Sequence, residues 1–341
     1  MVPMARKGGW RRTGSKRRFR YVDSRGKPIA DEAKLARIET LVIPPAWKEV
    51  WISPRAGAKL QATGVDAAGR RQYLYHPEYR ARQEQAKYDN LIRFAEALPE
   101  LRAAMAEHME RDMYDRLRVS AIAVRLINQT WFRPGSDRYV RESRTYGVTT
   151  LTRRHVSVRG NTIAFRFRGK HKVLVRTAFV DSELADAVRD LLKLPGGRRV
   201  FRYDEEGTIS NLHSRRLNEY IQEYLGEEFS AKDFRTWGGT LLAAIAFAER
   251  GAPESEAEAK RRVAAVMRSV ADRLGNTPAV TRASYVSPAV VEQYLDGRTI
   301  EDFRPRHLRI VTARDTGLDL EEQALLSLLR SWRIRRARAA A

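Results

Sequence analysis

The chain has 341 residues, 43% of them hydrophobic, which is enough for two domains with apolar cores. Its 64 lysines and arginines against 42 acidic residues give a formal charge of +22, which predicts a polyanionic partner, nucleic acid first and an anionic membrane surface second. Without cysteine there is no disulfide, thiol nucleophile or thiolate metal site, and a reducing compartment is permitted. The sequence also lacks a membrane-spanning apolar run, a metal-binding histidine motif and an ATP-binding phosphate loop.

The front of the chain is basic and turn-rich up to about residue 27. We predict a partly disordered arm over roughly the first ten residues, the alternative being a phosphate-contacting arm that joins a sheet. A short helix is predicted over residues 31–41, and strands over 50–52 and 70–75. These elements predict a small β-rich unit of about 80 residues.

From about residue 80 the hydrophobic period becomes helical, and we place the domain boundary there. Pro99 is predicted to open a helix in which Met105, Met109 and Met113 are core residues. Residues 117–127 are apolar on nearly every side, which predicts a buried helix.

A β segment follows, with alternating apolar residues over 156–158 and 163–167 and a third strand over 173–175. The tight turn between the last two strands places Lys170 at the tip of a predicted hairpin. Helices are predicted to return from about residue 181, and the basic tail over 304–341 is predicted to be helical.

Tyr285 is held between helix start and stop signals. Gly275 is predicted to end one helix, Thr277-Pro278 to begin a short second helix, and Ser287-Pro288 to begin a third just beyond the tyrosine. A lone tyrosine in such a place is more often a half-buried core residue than a nucleophile, so the functional interpretation depends on the rest of the chain.

A polyanionic partner and basic residues on constrained turns suggest phosphodiester chemistry, which needs a nucleophile, cations for the phosphate oxygens and a proton donor for the leaving alkoxide. A neutral tyrosine is a poor nucleophile, whereas nearby guanidinium groups favour its phenolate and hold a phosphate. The candidates are Arg133, Lys170, Arg235 and Tyr285, each at or beside a break in regular structure. With 64 basic residues in the chain, pattern alone specifies this set weakly.

Four stretches, taken together and in this order, resemble the poxvirus-type and bacterial type IB DNA topoisomerases. They are residues 43–47 with 71–75, 132–136 with 146–151, 167–170, and 232–238 with 275–278 and 282–285. The resemblance covers roughly residues 20 to 295. Any one motif is weakly specific, and the ordered set of four is strongly specific.

The resemblance implies a role for each matched residue. Tyr285 would attack the scissile phosphate and form a 3′-phosphotyrosyl bond, Arg133 and Arg235 would stabilise the transition state, and Lys170 would protonate the 5′-oxygen. The cut strand would swivel and be religated, so that supercoils relax without ATP, metal or cofactor. Where the viral and nuclear enzymes carry histidine this chain has Asn276, which can donate a hydrogen bond to phosphate but cannot shuttle a proton.

Further residues match DNA contacts. Gln72, Tyr73 and Tyr75 match residues that contact bases and backbone in the viral relatives, and Arg71 precedes them. Lys232 occupies the place of a histidine in the related tyrosine recombinases and is predicted to contact phosphate. The alternatives are that the two tyrosines are partly core residues and that Lys232 is a solvated surface lysine.

The expected fold class is α+β, with a β-rich N-terminal DNA-binding domain over residues 1–85 and a mostly helical catalytic domain over 86–341 that carries a three-stranded antiparallel sheet. The two would form a C-shaped clamp on double-stranded DNA. The resemblance implies a monomer in the bacterial cytoplasm, on the nucleoid and away from membranes. Two alternatives stay open: a site-specific tyrosine recombinase, and a non-catalytic DNA-coating protein in which Tyr285 only packs.

Overall fold

The structure, a computed structural model, describes residues 8–15, 18–304 and 317–340. The chain divides into two compact units, Met1–Lys87 and Tyr88–Ala341. The first is rich in β-strands, and the second is mostly helical with a three-stranded antiparallel sheet, so the predicted α+β fold class is confirmed.

The first unit contains a five-stranded antiparallel sheet with strand order β2-β1-β3-β4-β5. The strands are β1 (Trp10–Ser15), β2 (Arg18–Val22), β3 (Lys48–Ile52), β4 (Leu60–Val65) and β5 (Arg71–Tyr75). Helix α1 (Glu32–Thr40) is capped by the carboxylate of Asp31, which accepts from the backbone N–H of Lys34 at 3.0 Å. The small core of this unit consists of Trp10, Ile38, Val50, Ile52 and Ala62.

Of these five strands, β4 was not predicted, and β1 and β2 were anticipated only in the alternative that the basic arm joins a sheet. β1 and β2 are dense in arginine, yet the guanidinium of Arg12 donates to the backbone carbonyls of Pro44 and Trp47, at 3.2 and 2.6 Å, and so satisfies loop acceptors while Trp10 enters the core. β4 contains Gly64, whose missing side chain leaves space for the Trp47 ring. Of the predicted disordered arm, residues 1–7 lie outside the described part, and Trp10 already belongs to a strand.

The helices that follow are α2 (Pro77–Met109), α3 (Arg116–Thr130), α4 (Asp137–Ser143), α5 (Ser182–Lys193), α6 (Ser214–Leu225), α7 (Asp233–Arg250), α8 (Glu256–Leu274), α9 (Pro278–Ser284), α10 (Pro288–Leu295) and α11 (Leu320–Ala340). Within the helical tail predicted over 304–341, residues 305–316 and 341 lie outside the described part. The buried helix predicted over 117–127 is confirmed as the core of α3. No helix of the described residues has the length and apolar character that a membrane crossing needs.

Two predictions along α2 were wrong. Pro99 lies inside the helix and does not open a new one, because the burial of the neighbouring Leu98 and Leu101, both fully buried, outweighs the lost backbone hydrogen bond. Met105 is a core residue, but Met113 is 66% exposed. The helix α2 ends at Met109, so Met113 does not continue its buried face.

The three-stranded sheet of the second unit has strand order β6-β7-β8, from β6 (Val156–Arg159), β7 (Thr162–Arg168) and β8 (Leu174–Val180). A single turn of 3₁₀ helix, Lys170–Lys172, joins β7 to β8, so Lys170 lies at the hairpin turn as predicted. A separate two-stranded hairpin, β9 (Arg202–Glu205) and β10 (Thr208–Asn211), was not predicted. Its strands have four residues each, too few to show a clear period.

Candidate active site

Arg133 is set by the end of α3. Trp131 ends that helix in the left-handed conformation (φ 54°), which turns the chain sharply, and Phe132 then packs edge-on against Phe165 and Phe167 of β7. The backbone carbonyl of Arg133 accepts from the N–H of Val148 at 2.9 Å. The backbone of Arg133 is therefore fixed by the turn that carries Val148, and the residue before Arg133 is fixed by β7.

The loop that follows Arg133 is packed too closely for any side chain at Gly147. A Cβ there would lie 2.4 Å from the carbonyl oxygen of Arg133 and 2.5 Å from the backbone nitrogen of Gly135. Both obstacles are backbone atoms, which cannot rotate away. Glycine at this position therefore allows the loops carrying Arg133 and Gly147 to approach each other.

We expect Gly147→Ala to destabilise the protein by about 2–3 kcal/mol, the usual penalty for overpacking a rigid site. The measurement is the urea unfolding midpoint. Gly57→Ala is the matched control, because a Cβ at Gly57 would meet no atom within 4 Å and its backbone φ is not positive. Equal midpoints for the two variants would contradict the prediction.

Arg235 is the most buried of the candidate residues, with 4% of its surface exposed. It lies in the first turn of α7, and its guanidinium donates to the carbonyl of Trp131 and, at 2.7 Å, to the carbonyl of Leu274. The two carbonyls end α3 and α8, so one side chain ties three helices together. Its Cζ atom lies 5.1 Å from the centre of the Tyr285 ring.

Tyr285 follows the last residue of α9, whose start is capped as predicted by Thr277, and Ser287 caps α10 in the same way. The backbone of Tyr285 lies against α7. Its carbonyl oxygen is 3.4 Å from the hydroxyl of Thr240, which also accepts from the N–H of Ser287 at 3.1 Å. A Cβ on Gly239 would approach that same carbonyl to 2.6 Å, so α7 must present glycine there.

Asn276 lies beside Arg133. Gly275 ends α8 in the left-handed conformation (φ 61°), and the N–H of Asn276 returns to the carbonyl of Ala271 at 2.9 Å, which fixes the turn. The Oδ1 atom of Asn276 accepts from Nη2 of Arg133 at 2.6 Å. Its Nδ2 atom is buried and finds no acceptor among the described residues, so a donor is left for another group.

Arg133, Lys170 and Arg235 line one open cavity of about 330 Å³, together with Gly275. Lys170 is exposed at its turn. Tyr285 is not among the residues that line this cavity, and it joins the group through its ring contact with Arg235. The four candidate residues therefore form one cluster: three of them line the cavity, and Tyr285 contacts Arg235.

The charges of this cluster act on one another. Burial, helped by the nearby charge of Arg133, lowers the pKa of Arg235 to about 10, so its guanidinium is still charged at neutral pH. Burial acts to raise the pKa of the Tyr285 phenol, but the charges of Arg235, Arg133 and Lys232 outweigh it, and the pKa falls below its ordinary value of 10. The site therefore favours the phenolate.

Lys232 is exposed and immediately precedes α7, so it lies at the Tyr285 side of the site without lining the cavity.

In the first unit, Tyr73 and Tyr75 of β5 are 46% and 47% exposed, and their rings stack at 6.3 Å. They therefore lie largely outside the core. Gln72 donates to Asp66 at 2.8 Å, and Arg71 pairs with Glu49 at 3.5 Å.

Two contributors were missed in the sequence. Trp131 lends its carbonyl to Arg235 and packs its ring where Gly238 has no side chain, and Thr240 holds the backbone around Tyr285. Trp131 directly precedes the motif over residues 132–136, and the small residues of α7 predicted that another part of the backbone approaches this helix closely. The partners of Trp131 and of α7 could not be predicted, because they lie far away in the sequence.

Comparisons with known proteins assign the chain to a family. Residues 76–304 match the model described as eukaryotic DNA topoisomerase I, catalytic core, and residues 18–66 match that of the bacterial DNA topoisomerase IB N-terminal domain. The chain is 31% identical over 291 residues to DNA topoisomerase 1B of Acanthamoeba polyphaga mimivirus, covering 83% of this chain and 86% of the relative. It is 24% identical over 260 residues to DNA topoisomerase 1B of vaccinia virus (strain Copenhagen), covering 76% and 78%.

The chain therefore belongs to the type IB DNA topoisomerase family and is an enzyme of that class. Among solved structures, the XerH site-specific recombinase bound to its palindromic difH substrate matches with a TM-score of 0.36 and 13% identity over 55% of this chain and 47% of that one. A likeness this distant carries no weight in assigning the activity.

Proposed function

We propose that this enzyme relaxes supercoiled double-stranded DNA by cutting one strand through a 3′-phosphotyrosyl bond to Tyr285, allowing the strand to swivel, and religating it. The observation that carries the proposal is the phenol of Tyr285 beside the buried guanidinium of Arg235, with its pKa lowered by the surrounding cations. A tyrosine whose ionised form is favoured by an adjacent guanidinium has the two parts of a phosphoryl-transfer site: a nucleophile and a charge for the phosphate oxygens.

In the proposed step, the Tyr285 oxygen attacks phosphorus as the bond from phosphorus to the 5′-oxygen breaks. Arg133 and Arg235 stabilise the added negative charge, and Asn276 uses its open Nδ2 donor on a phosphate oxygen. Lys170 gives a proton to the departing 5′-oxygen and takes it back on religation. Because one phosphate ester replaces another, the bond energy is kept and no ATP is consumed. Three side-chain cations supply the positive charge, so the proposed step uses no metal ion.

We propose that the DNA backbone leaves the site along an arginine-rich surface beside it. Tyr146 lines the cavity of Arg133 and also two neighbouring cavities. These are bordered by exposed basic residues, namely Arg144, Arg153, Arg154, Arg166, Arg168 and Arg198. A cluster of exposed cations suits a polyphosphate backbone and makes affinity fall steeply with salt.

We also propose a role for each of the two domains and for the residues that contact DNA away from the cut. Residues 1–85 would be the DNA-binding domain and 86–341 the catalytic domain, with Gln72, Tyr73 and Tyr75 contacting bases or backbone. Arg71 and Lys232 would contact phosphate. The enzyme would act as a monomer on the nucleoid of a bacterial cytoplasm. The match of residues 18–66 to a bacterial N-terminal domain supports only the bacterial part of this proposal.

The proposed function is tested by incubating the wild-type enzyme with supercoiled plasmid in EDTA and without ATP. Relaxation under these conditions, with a covalent protein–DNA adduct on the 3′ end after denaturation, is the expected result. An enzyme that binds DNA tightly but neither relaxes plasmid nor forms the adduct would contradict the proposal. Adding magnesium and ATP in a parallel sample tests whether either is required.

We expect Asn276→Ala to slow strand cleavage by about 10-fold. Arg133→Ala is expected to slow it more, by about 10³-fold. Arginine supplies a charge to the phosphate, whereas asparagine supplies one neutral hydrogen bond and holds Nη2 of Arg133. The measurement is the single-turnover cleavage rate at saturating DNA. Equal losses in the two variants would contradict this ranking.

A further inference from the structure

A buried carboxylate lies on the far side of α7 from Tyr285. Glu322, in the first turn of α11, is 3% exposed. Its Oε1 atom accepts from Nη2 of Arg102 at 2.8 Å and from the indole N–H of Trp237 at 3.1 Å, and its Oε2 atom accepts from Nη1 of Arg102 at 2.7 Å. Both oxygens are occupied by strong donors, as a buried charge requires.

The carboxylate is ionised in this setting. Burial acts to raise the pKa of Glu322, but the hydrogen bonds and charge of Arg102 and the indole of Trp237 outweigh it, so the pKa falls below its usual range. A bidentate ion pair between arginine and a carboxylate fixes the relative orientation of the two groups more strictly than a neutral hydrogen bond does. Glu322 and Arg102 therefore form a rigid unit.

Four helices meet at this pair. Arg102 belongs to α2, Trp237 to α7 and Glu322 to α11. The guanidinium of Arg102 also donates to Oδ1 of Asn128, on α3, at 3.3 Å, and to the carbonyl of Gly317 at 2.7 Å. The ion pair thus bonds directly to side chains of α3 and α7.

The helices α3 and α7 position Arg133 and Arg235 of the site. Asn128 is five residues before Arg133, and Trp237 is two residues after Arg235. Side chains two apart on a helix point in nearly opposite directions, about 200° around the axis. Trp237 accordingly holds the rear of α7 while Arg235 faces Tyr285.

We propose that Glu322 is a positioning residue for strand cleavage: paired with Arg102, it holds α3 and α7 at the spacing that lets Arg133 and Arg235 act on one phosphate. The proposal rests on the proposed function, since it assigns both arginines to the phosphate. Glu322 does not itself touch the DNA in this scheme. A misplacement near 1 Å at a reacting group costs about 10²-fold in rate, so a modest shift of either helix is measurable.

Two variants test the proposal. Trp237→Phe removes the indole N–H and keeps an aromatic ring, and Glu322→Gln keeps the size of the side chain and removes its charge. Glu96→Gln is the matched control, because Glu96 forms an exposed ion pair with Arg330 between the same helices α2 and α11, at 2.6 Å, and this pair does not involve α7.

We expect both test variants to lower the single-turnover cleavage rate at saturating DNA by about 10-fold, with DNA affinity unchanged, and the control to cleave as wild type. Circular dichroism checks that each variant is folded. If Glu322→Gln does not fold, Trp237→Phe still decides the question. Wild-type cleavage rates in a folded Trp237→Phe variant would overturn the proposal.

A double-mutant cycle separates positioning from general stability. In an Arg235→Lys background, Trp237→Phe is expected to lose most of its effect, because the group that it positions is already gone. Effects that multiply independently would instead assign Trp237 and Glu322 a purely structural role and overturn the proposal. A wild-type enzyme that forms no covalent adduct would refute the proposed function itself, whereas normal adduct formation with unaffected variants would refute only the role of Glu322.

Discussion

The Tyr285→Phe variant is expected to leave supercoiled plasmid unrelaxed and to form no covalent adduct with DNA, a loss of about 10⁴-fold or more. Only the phenolic oxygen is removed. The backbone of Tyr285 keeps its hydrogen bond to Thr281 and its contact with Thr240, and a phenylalanine ring can still pack against Arg235. The variant should therefore fold and bind DNA as the wild-type enzyme does.

The experiment compares wild type, Tyr285→Phe and Tyr224→Phe in plasmid relaxation, in trapping of the adduct on a duplex whose cut strand carries a 5′ label, and in DNA binding. Tyr224 is a suitable control because it is also partly buried, and its ring packs with His108 and Tyr220. Relaxation by Tyr285→Phe at the wild-type rate would assign the nucleophile elsewhere. Tight binding without an adduct in any of the three proteins would favour a DNA-coating protein.

Arg235→Ala is expected to lower the single-turnover cleavage rate by about 10³-fold, the upper range for losing one preorganised donor to a developing oxyanion. Arg235→Lys should lose much of the activity as well. A single ammonium group cannot reach the carbonyls of Trp131 and Leu274 with a fixed fork and still present a donor to a phosphate. DNA affinity measured on the same duplex shows whether the loss lies in the chemical step.

Arg235→Ala should also change how the cleavage rate depends on pH. The charge of Arg235 is the largest of the effects that lower the pKa of Tyr285, so its removal raises that pKa. The inflection of the wild-type cleavage rate with pH is expected to lie below that of an ordinary tyrosine, and the inflection of Arg235→Ala is expected to lie at a higher pH than that of wild type. An unchanged inflection in single-turnover rates would mean that Arg235 does not act on the Tyr285 phenol.

The surroundings of Tyr285 could be predicted from local sequence alone. Gly275 ends α8, Thr277 begins α9 and Ser287 begins α10, each by the capping interaction expected for its residue type. Lys170 at its hairpin turn was predictable for the same reason, since turns and caps depend on a few consecutive residues. The resemblance to type IB topoisomerases then named Arg133 and Arg235, and comparison with the relatives confirms the family.

What was not predictable depends on contacts between distant residues. The carbonyls that hold Arg235 belong to residues 104 and 39 positions away, and Glu322 meets Arg102 across 220 positions. No local pattern marks such partners. β1 and β2 were anticipated only as an alternative, because arginine-rich strands resemble a disordered basic segment in sequence, and the loop carbonyls that bind the guanidinium of Arg12 lie about 30 positions away.

The position of α11 at the end of the chain matters for shortened products. A polypeptide that stops anywhere between Tyr285 and Glu322 would contain every proposed catalytic residue, yet it would lack the carboxylate that Arg102 and Trp237 bind. Trp237 would then leave a buried donor unpaired, and α7 would lose its rear support. Premature stop codons in this interval are therefore expected to yield a protein that still carries the nucleophile but nicks DNA poorly.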